Sequence, residues 1–232
     1  MNDAHFHYSA ALFKELKSNQ IDGICNVENE EEFNLVQTLL NQYSFHYSCG
    51  IHPWHVDSVS YDSFYPYLEK ASIIGEIGLD NVWCNTDLNL QEEVFEKQLQ
   101  YASNQHKPVI LHLKGMEKEA LEFIRKYPNQ YLVHWYSRYD YLEEYIELGC
   151  FFTIGPSIGI DDTVSNVAKK VPLNKMLIES DGIDAIEWAL GKRDYLATLQ
   201  RSLEQISLLK NVSLEKVKKQ IEKNFNDFLQ VK

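Results

Sequence analysis

The feature that most constrains this chain is an alternation repeated along its length: a short apolar, β-branched or aromatic run, then a longer amphipathic segment. The strand candidates are residues 2–7, Ile21–Val27, Phe45–His52, Ile73–Leu79, Pro108–Leu113, Tyr131–Tyr136, Cys150–Gly155 and Met176–Asp181. Between them, helices are predicted over Ala10–Ser18, Glu31–Gln42, Tyr61–Lys70, Leu90–Gln105, Lys118–Tyr127, Tyr141–Leu148 and Thr163–Lys170. The fourth is the clearest, with Leu90, Val94, Phe95, Leu99 and Ala102 on one face. Two more helices close the chain, the last capped by Ser213 and striped by Leu214, Val217, Ile221, Phe225 and Phe228. Eight strand–helix units in a chain near the ~250 residues typical of the fold predict a (β/α)8 barrel, with a doubly wound open sheet as the rival. No internal repeat, low-complexity tract or Pro/Gly linker divides residues 1–232, so one domain is expected.

The polar residues favour the barrel. His7, His52, Glu76, His112, His134 and Asp181 each end a predicted strand, and in a barrel those ends converge on one mouth, where active sites are built. In Asp3-Ala4-His5-Phe6-His7, side chains at i and i+2 leave an extended strand on the same face, so His5 and His7 can address one point. Taken alone the pair reads more readily as a tag remnant or two solvated surface histidines, and His112 or His134 singly as a hydrogen-bonded core residue. Glu76 is harder to dismiss. It stands in the apolar strand end Gly75-Glu76-Ile77-Gly78-Leu79-Asp80, where an ionised group is costly unless a cation or hydrogen bonds compensate. Four imidazoles and two carboxylates from five strands point to a metal site.

Composition limits what else the chain can be. A net charge of -12 without a long basic run excludes bulk electrostatic binding to duplex phosphate, so any phosphate recognition is local. Four cysteines at 25, 49, 84 and 150 lack Cys-x-x-Cys spacing, which argues against a zinc knuckle or disulfide framework and favours a reducing cytoplasm. The polar start leaves no room for a signal peptide, and no apolar stretch approaches the ~20 residues of a membrane span, so a soluble protein without membrane partners is expected.

The set Asp3-x-His5-x-His7, Gly50-Ile51-His52-Pro53, Gly75 to Asp80, Pro108 to His112, His134 and Glu179-Ser180-Asp181 resembles the TatD family of metal-dependent deoxyribonucleases. Residues Gln91 to Leu99 are similar to the family's helix after its fourth strand, and the resemblance runs from residue 3 to about 225. It implies a TIM barrel holding two divalent ions, Mg²⁺, Mn²⁺ or Zn²⁺, and hydrolysing phosphodiesters, often DNA from the 3′ end. By the same resemblance His5, His7, Glu76 and Asp181 hold one ion, Glu76 bridges to a second held by His112 and His134, and His52 lines the mouth. Several positions depart from the family pattern. Trp54 stands where many relatives have a second His, with His55 displaced by one, and Lys114 replaces an Arg, keeping the charge and losing the bidentate fork. Ser180-Asp181-Gly182-Ile183 replaces the usual Thr-Asp-Ser-Pro, and the Arg usual after Gly-Leu-Asp is absent from Asn81 to Cys84. Gly191-Lys192-Arg193-Asp194 retains the family's arginine, which makes Arg193 a candidate phosphate contact.

Two such ions share a hydroxide and polarise a phosphoryl oxygen for in-line attack, with Glu76 and Asp181 as catalytic carboxylates and Asp181 able to accept the water's proton. Lys114 and Arg193 would offset phosphate charge, and Trp54, Trp83, Trp135 and Tyr136 lie near the mouth, where aromatic faces can stack on unpaired bases. The same hydroxide can attack a carbonyl, which keeps open amidohydrolase-like C–N or ester hydrolysis, for example D-aminoacyl-tRNA deacylation. Glu76 stands where many amidohydrolases carry a carboxylated lysine, which weighs against that class. An inert scaffold is the third reading, and the intact ligand set weighs against it. His46 and His106 read as ordinary structural residues.

Overall fold

A computed structural model of the protein describes residues 1–41, 43 and 45–230. Strands β1 (Asn2–His7), β2 (Asp22–Val27), β3 (His46–Cys49), β4 (Ile73–Asp80), β5 (Val109–Lys114), β6 (Tyr131–Val133), β7 (Phe151–Ile154) and β8 (Met176–Ile178) form one sheet in sequence order. Every neighbouring pair is parallel. Helices α1 (Ala10–Asn19), α2 (Glu30–Leu40), α3 (Tyr61–Lys70), α4 (Leu88–Gln105), α5 (Glu117–Lys126), α6 (Leu142–Glu147) and α7 (Asp162–Lys170) follow the first seven strands, and α8 (Ile183–Leu190), α9 (Tyr195–Lys210) and α10 (Leu214–Leu229) follow the eighth. This is the predicted (β/α)8 barrel. The expected end of the second helix at Gln42 lies outside the described residues, as do the last two positions of the expected 1–232 domain. Among the described residues no helix is long and apolar enough to cross a membrane.

The open-sheet rival fails because the first and last strands meet. Past the end of β8, Ser180 N–H donates to Asp3 Oδ1 at 2.9 Å and Ser180 Oγ to Asp3 Oδ2 at 2.6 Å. Tyr195 OH donates to the same Oδ2 at 2.9 Å, and Asp181 N–H to the His5 carbonyl at 3.1 Å. The buried Asp3 carboxylate therefore stitches the seam beside two candidate ligands.

Inward-facing side chains are layered. At the bottom Ala4, Ile24, Ile73, Ile110, Leu132, Phe151 and Leu177 pack together, closed by Phe225 and Phe228 of α10. Ser213 caps α10 by accepting from Lys216 N–H, as predicted. Strand alternation then lifts polar residues into the layers above: Ile110 leads to His112 and Lys114, Leu132 to His134, and Leu177 to Glu179 and Asp181. Two strands break this period of two. Ala4 and His5 both face inward, as do Ile73 and Glu76, and β1 and β4 carry register irregularities between Asp3 and Phe6 and between Ile74 and Ile77. Such bulges re-aim a side chain next to a site.

Candidate metal centre

The site is built around Glu76, whose carboxylate is 1% exposed. Its Oε1 lies 2.7 Å from His134 Nε2, 2.8 Å from His112 Nδ1 and 3.7 Å from His52 Nε2. Its Oε2 lies 3.3 Å from His5 Nε2 and 3.5 Å from His7 Nε2. Asp181 Oδ1 completes the ring at 3.4 Å from both His5 and His7. All six expected metal ligands are thus brought together, from β1, β4, β5, the residue following β6 and the loop after β8. Three expectations about strand ends need correction. Glu76 lies within β4 rather than at its end, β3 stops at Cys49 so that His52 falls in the following loop, and Asp181 lies three residues beyond β8 with φ of +57°. The bulge in β4 and the tight exit at Gly182 bring these side chains to the centre.

Several atoms in this cluster are buried without a hydrogen-bond partner: both ring nitrogens of His5, Nδ1 of His134 and Oδ1 of Asp181. Burying such groups unmatched is costly, and two of them, His5 Nε2 and Asp181 Oδ1, face each other at 3.4 Å without bonding, an arrangement that suits a cation. Charge tells the same story. Burial pulls the His5 imidazole down, but Glu76 and Asp181 outweigh it and hold its pKa up to about 10. Burial would raise Glu76 and Asp181, yet the surrounding imidazoles hold both well below the carboxylate range. The cluster thus binds positive charge, and residue groups such as His5, His7 and Asp181 or His5, Glu76 and His134 have donor atoms near enough to share one ion.

A second ring of carboxylates backs the imidazoles. Asp80 Oδ2 lies 2.9 Å from His112 Nε2, which turns Nδ1 toward Glu76. Glu179 lies 3.5 Å from His134 Nδ1, and Glu28 lies 3.5 Å from His7 Nδ1. Asp80 is a partner of the kind that fixes the tautomer and ring orientation of a ligating histidine, while Glu179 and Glu28 add negative charge beside His134 and His7 without a hydrogen bond. Asn26 braces the centre, accepting from Glu76 N–H at 2.6 Å and donating to Glu28 at 2.9 Å, while His55 adds a 3.2 Å contact to Glu28. His52 differs from the rest. Its Nδ1 accepts from Trp54 N–H at 3.2 Å, leaving Nε2–H to face Glu76, and burial lowers its pKa, so it is a neutral donor toward the carboxylate.

A cavity of about 640 Å³ opens above the cluster. Trp54 lines it, held by a 2.6 Å bond from Nε1 to Asp80 Oδ2. Lys114 also lines it, but its ammonium already donates to the Trp135 carbonyl at 3.0 Å. Arg193 does not line the cavity: it is exposed and doubly paired, with Asp184 and with Glu187. Tyr136 is not at the mouth either. It is buried against Tyr145 and Phe152, with its hydroxyl donating to the Asp140 carbonyl. Sequence reasoning missed Glu28, Asp80 and Glu179 behind the imidazoles, although each follows an inward residue by two. It also missed Trp188, which no strand period could have flagged.

Fold and site together define a barrel hydrolase built around a buried carboxylate–imidazole cluster. The family model described as TatD related DNase matches residues 2–230. The chain belongs to that family and is a metal-dependent hydrolase. It is 25% identical to human deoxyribonuclease TATDN3 over 245 residues, covering 93% of this chain and 89% of that protein. Human 3'-5' RNA nuclease TATDN2 is 27% identical over 124 residues, covering 48% of this chain and 16% of that protein. The crystal structure of the TatD homologue YjjV from Escherichia coli K12 superposes with a TM-score of 0.86 at 21% identity, covering 100% of this chain and 98% of that one, and shows the same fold.

Proposed function

We propose that the chain is a divalent-cation-dependent DNA exonuclease working from the 3′ end, with two ions of Mg²⁺, Mn²⁺ or Zn²⁺. His5, His7, Glu76 and Asp181 hold one and Glu76, His112 and His134 the other, in one domain spanning the chain. The observation that carries this reading is the buried Glu76 carboxylate with imidazole nitrogens on every side, His5 Nε2 among them without a hydrogen-bond partner. The family match and the likeness to human deoxyribonuclease TATDN3 support the DNA substrate, and the partial likeness to the human 3'-5' RNA nuclease TATDN2 supports the direction. Four unpaired cysteines support a reducing compartment, the cytoplasm.

When bound, the ions supply a nucleophile from water at neutral pH and polarise the phosphoryl oxygen. The protein's own groups do the rest. Asp181, its Oδ1 facing the cluster, takes the proton of the attacking water. His52 turns its Nε2 toward Glu76 at 3.7 Å, a neutral imidazole beside the carboxylate. Lys114 places the cavity's one ammonium near the non-bridging oxygens, and the Trp54 ring roofs His112 at 6.1 Å and limits water access. The decisive test is a panel of single-stranded DNA, duplex DNA, RNA, a small phosphodiester and an aminoacyl ester, with each metal and with chelator. Phosphodiester cleavage, lost on chelation and restored by metal, is expected. Full activity in a metal-stripped sample, or cleavage of the aminoacyl ester alone, overturns the reading.

A further inference from the structure

All four tryptophans of the chain line the cavity above the cluster. Tryptophan is usually well buried, yet Trp54 is 45% exposed, Trp83 59% and Trp188 71%. Trp83 and Trp188 stand at right angles with ring centroids 6.2 Å apart, and Trp135 approaches Trp188 at 6.0 Å and 72°. Each edge-to-face contact covers one face of one ring, so Trp83 and Trp188 form a right-angled corner whose remaining faces stay exposed. Their mounting is firm. Val82 N–H and Trp83 N–H both donate to Asp80 Oδ1 at 2.8 Å. The Trp135 ring lies flat against Gly155, where a Cβ would come within 2.6 Å of it, and Trp135 N–H donates to Thr153 at 3.0 Å. Trp188 rides on α8, which begins two residues after Asp181.

Charge decides what these faces grip. Among the described residues Lys114 is the only lysine or arginine lining the cavity, against Asp161, Asp181 and Asp184, and Arg193 is paired with its own carboxylates. Side-chain contacts to phosphate therefore supply little of the binding here. Aromatic faces remain, and they stack on any base that is free of a partner. Within a duplex both faces of a base are already stacked, so a base reaches this cavity only unpaired. The volume falls in the range that encloses one small ligand.

We propose that the mouth is an aromatic clamp for a single unpaired nucleobase, with Trp83 and Trp188 as its jaws and Trp135 as its floor, so that the substrate is seized by its base rather than its phosphates. This rests on the phosphodiesterase reading above. Trp188, which α8 alone supplies, is the residue on which base selection turns.

The test uses metal-stripped protein in chelator, so that no cleavage occurs, and reads quenching of tryptophan fluorescence. The probes are tetrathymidylate, the same four-unit backbone without bases, and a blunt-ended hairpin duplex. Tetrathymidylate should bind about 10- to 100-fold more tightly than the abasic chain or the duplex. Trp188→Ala should erase most of that difference with far-UV circular dichroism unchanged, and Trp188→Phe should restore it. The logarithm of affinity against that of salt should slope far less than for a protein neutralising several phosphates, at about -0.7 per single-strand contact. Equal binding of the abasic chain, an unchanged Trp188→Ala variant or a steep salt slope each overturns the clamp. Base-dependent quenching in a protein that hydrolyses no phosphodiester would leave the clamp and remove the catalytic reading. Metal-dependent cleavage of the abasic chain as fast as the thymidylate would do the reverse.

Discussion

Replacing Asp3 by Ala tests whether the barrel seam, and with it the metal centre, hangs on one carboxylate. Asp3 is fully buried and accepts three hydrogen bonds, from Ser180 N–H, Ser180 Oγ and Tyr195 OH. Alanine strands all three donors. Each buried unsatisfied group costs about 1–3 kcal/mol, with the backbone N–H at the upper end because it cannot turn and the hydroxyls lower because they can, so about 3–6 kcal/mol is expected. That is a large share of the 5–15 kcal/mol typical of a folded domain. Urea unfolding followed by circular dichroism in chelator, where metal linkage is absent, should show a lower midpoint at unchanged slope. Because the Ser180–Asp3 bonds also position Asp181, metal affinity should fall in the same variant. A loss under about 1 kcal/mol with normal metal affinity would refute the seam argument. The pH dependence gives a second check. Burial pushes the Asp3 carboxyl up to about 7, against the hydrogen bonds from Ser180 and Tyr195 that pull it down. Between its ordinary value of 3.8 and about 7 the folded chain holds this proton more tightly than the unfolded chain. Stability contributed by the group is therefore full below about 4 and is lost as the pH rises toward 7. The stability of wild type minus that of Asp3→Asn should fall across that window, and a rising difference would be inconsistent with the buried acid.

Asp181→Asn keeps a ligand oxygen and removes the proton acceptor, so turnover should drop about 10²–10⁴-fold with metals bound; near-normal turnover at full metal content would make Asp181 a ligand only. Glu28→Ala frees the His7 ring and should weaken metal about 10- to 100-fold in a chelator competition, with Glu28→Gln losing less; unchanged affinity in the Ala variant would leave Glu28 a surface carboxylate. Lys114→Met removes the cavity's cation and should raise KM for charged substrates while metal content stays intact; unchanged kinetics would assign Lys114 to holding the Trp135 carbonyl alone.

The barrel was legible because its signal is repetition. Eight apolar runs separated by amphipathic segments leave few topologies, and strand ends misplaced by a few residues do not alter the count. The ligands were legible for a related reason: His112, His134 and Asp181 each keep the period of two above an apolar residue of the bottom layer. His5 and Glu76 do not keep it relative to Ala4 and Ile73, and only the bulges in β1 and β4 turn them inward. Their roles were read from residue type and family pattern instead. Arg193 was misread because Gly-Lys-Arg-Asp resembles the family while Asp184 and Glu187, which capture the guanidinium, lie six to nine residues upstream in a different setting. Trp188 gave no sign at all, since on a helix of mixed polarity an exposed tryptophan has no period to betray it.

Asp80 shows why mouth and metal centre belong to one device. Its Oδ2 takes both His112 Nε2 and Trp54 Nε1, while its Oδ1 takes the backbone of Val82 and Trp83. Burial would raise this carboxyl, but those four bonds, with His112 first, hold it well below the ordinary range, so it stays charged wherever the protein is folded and active. One carboxylate therefore sets the tautomer of a candidate metal ligand, fixes the Trp54 ring beside it and anchors the loop that carries Trp83. Gly78 makes this possible. A Cβ there would lie 1.7 Å from the His112 carbonyl, so only glycine lets β4 run close enough to β5 for Asp80 to reach across to the imidazole. The backbone that carries Trp83 and the imidazole that faces Glu76 are thus held by the two oxygens of one carboxylate.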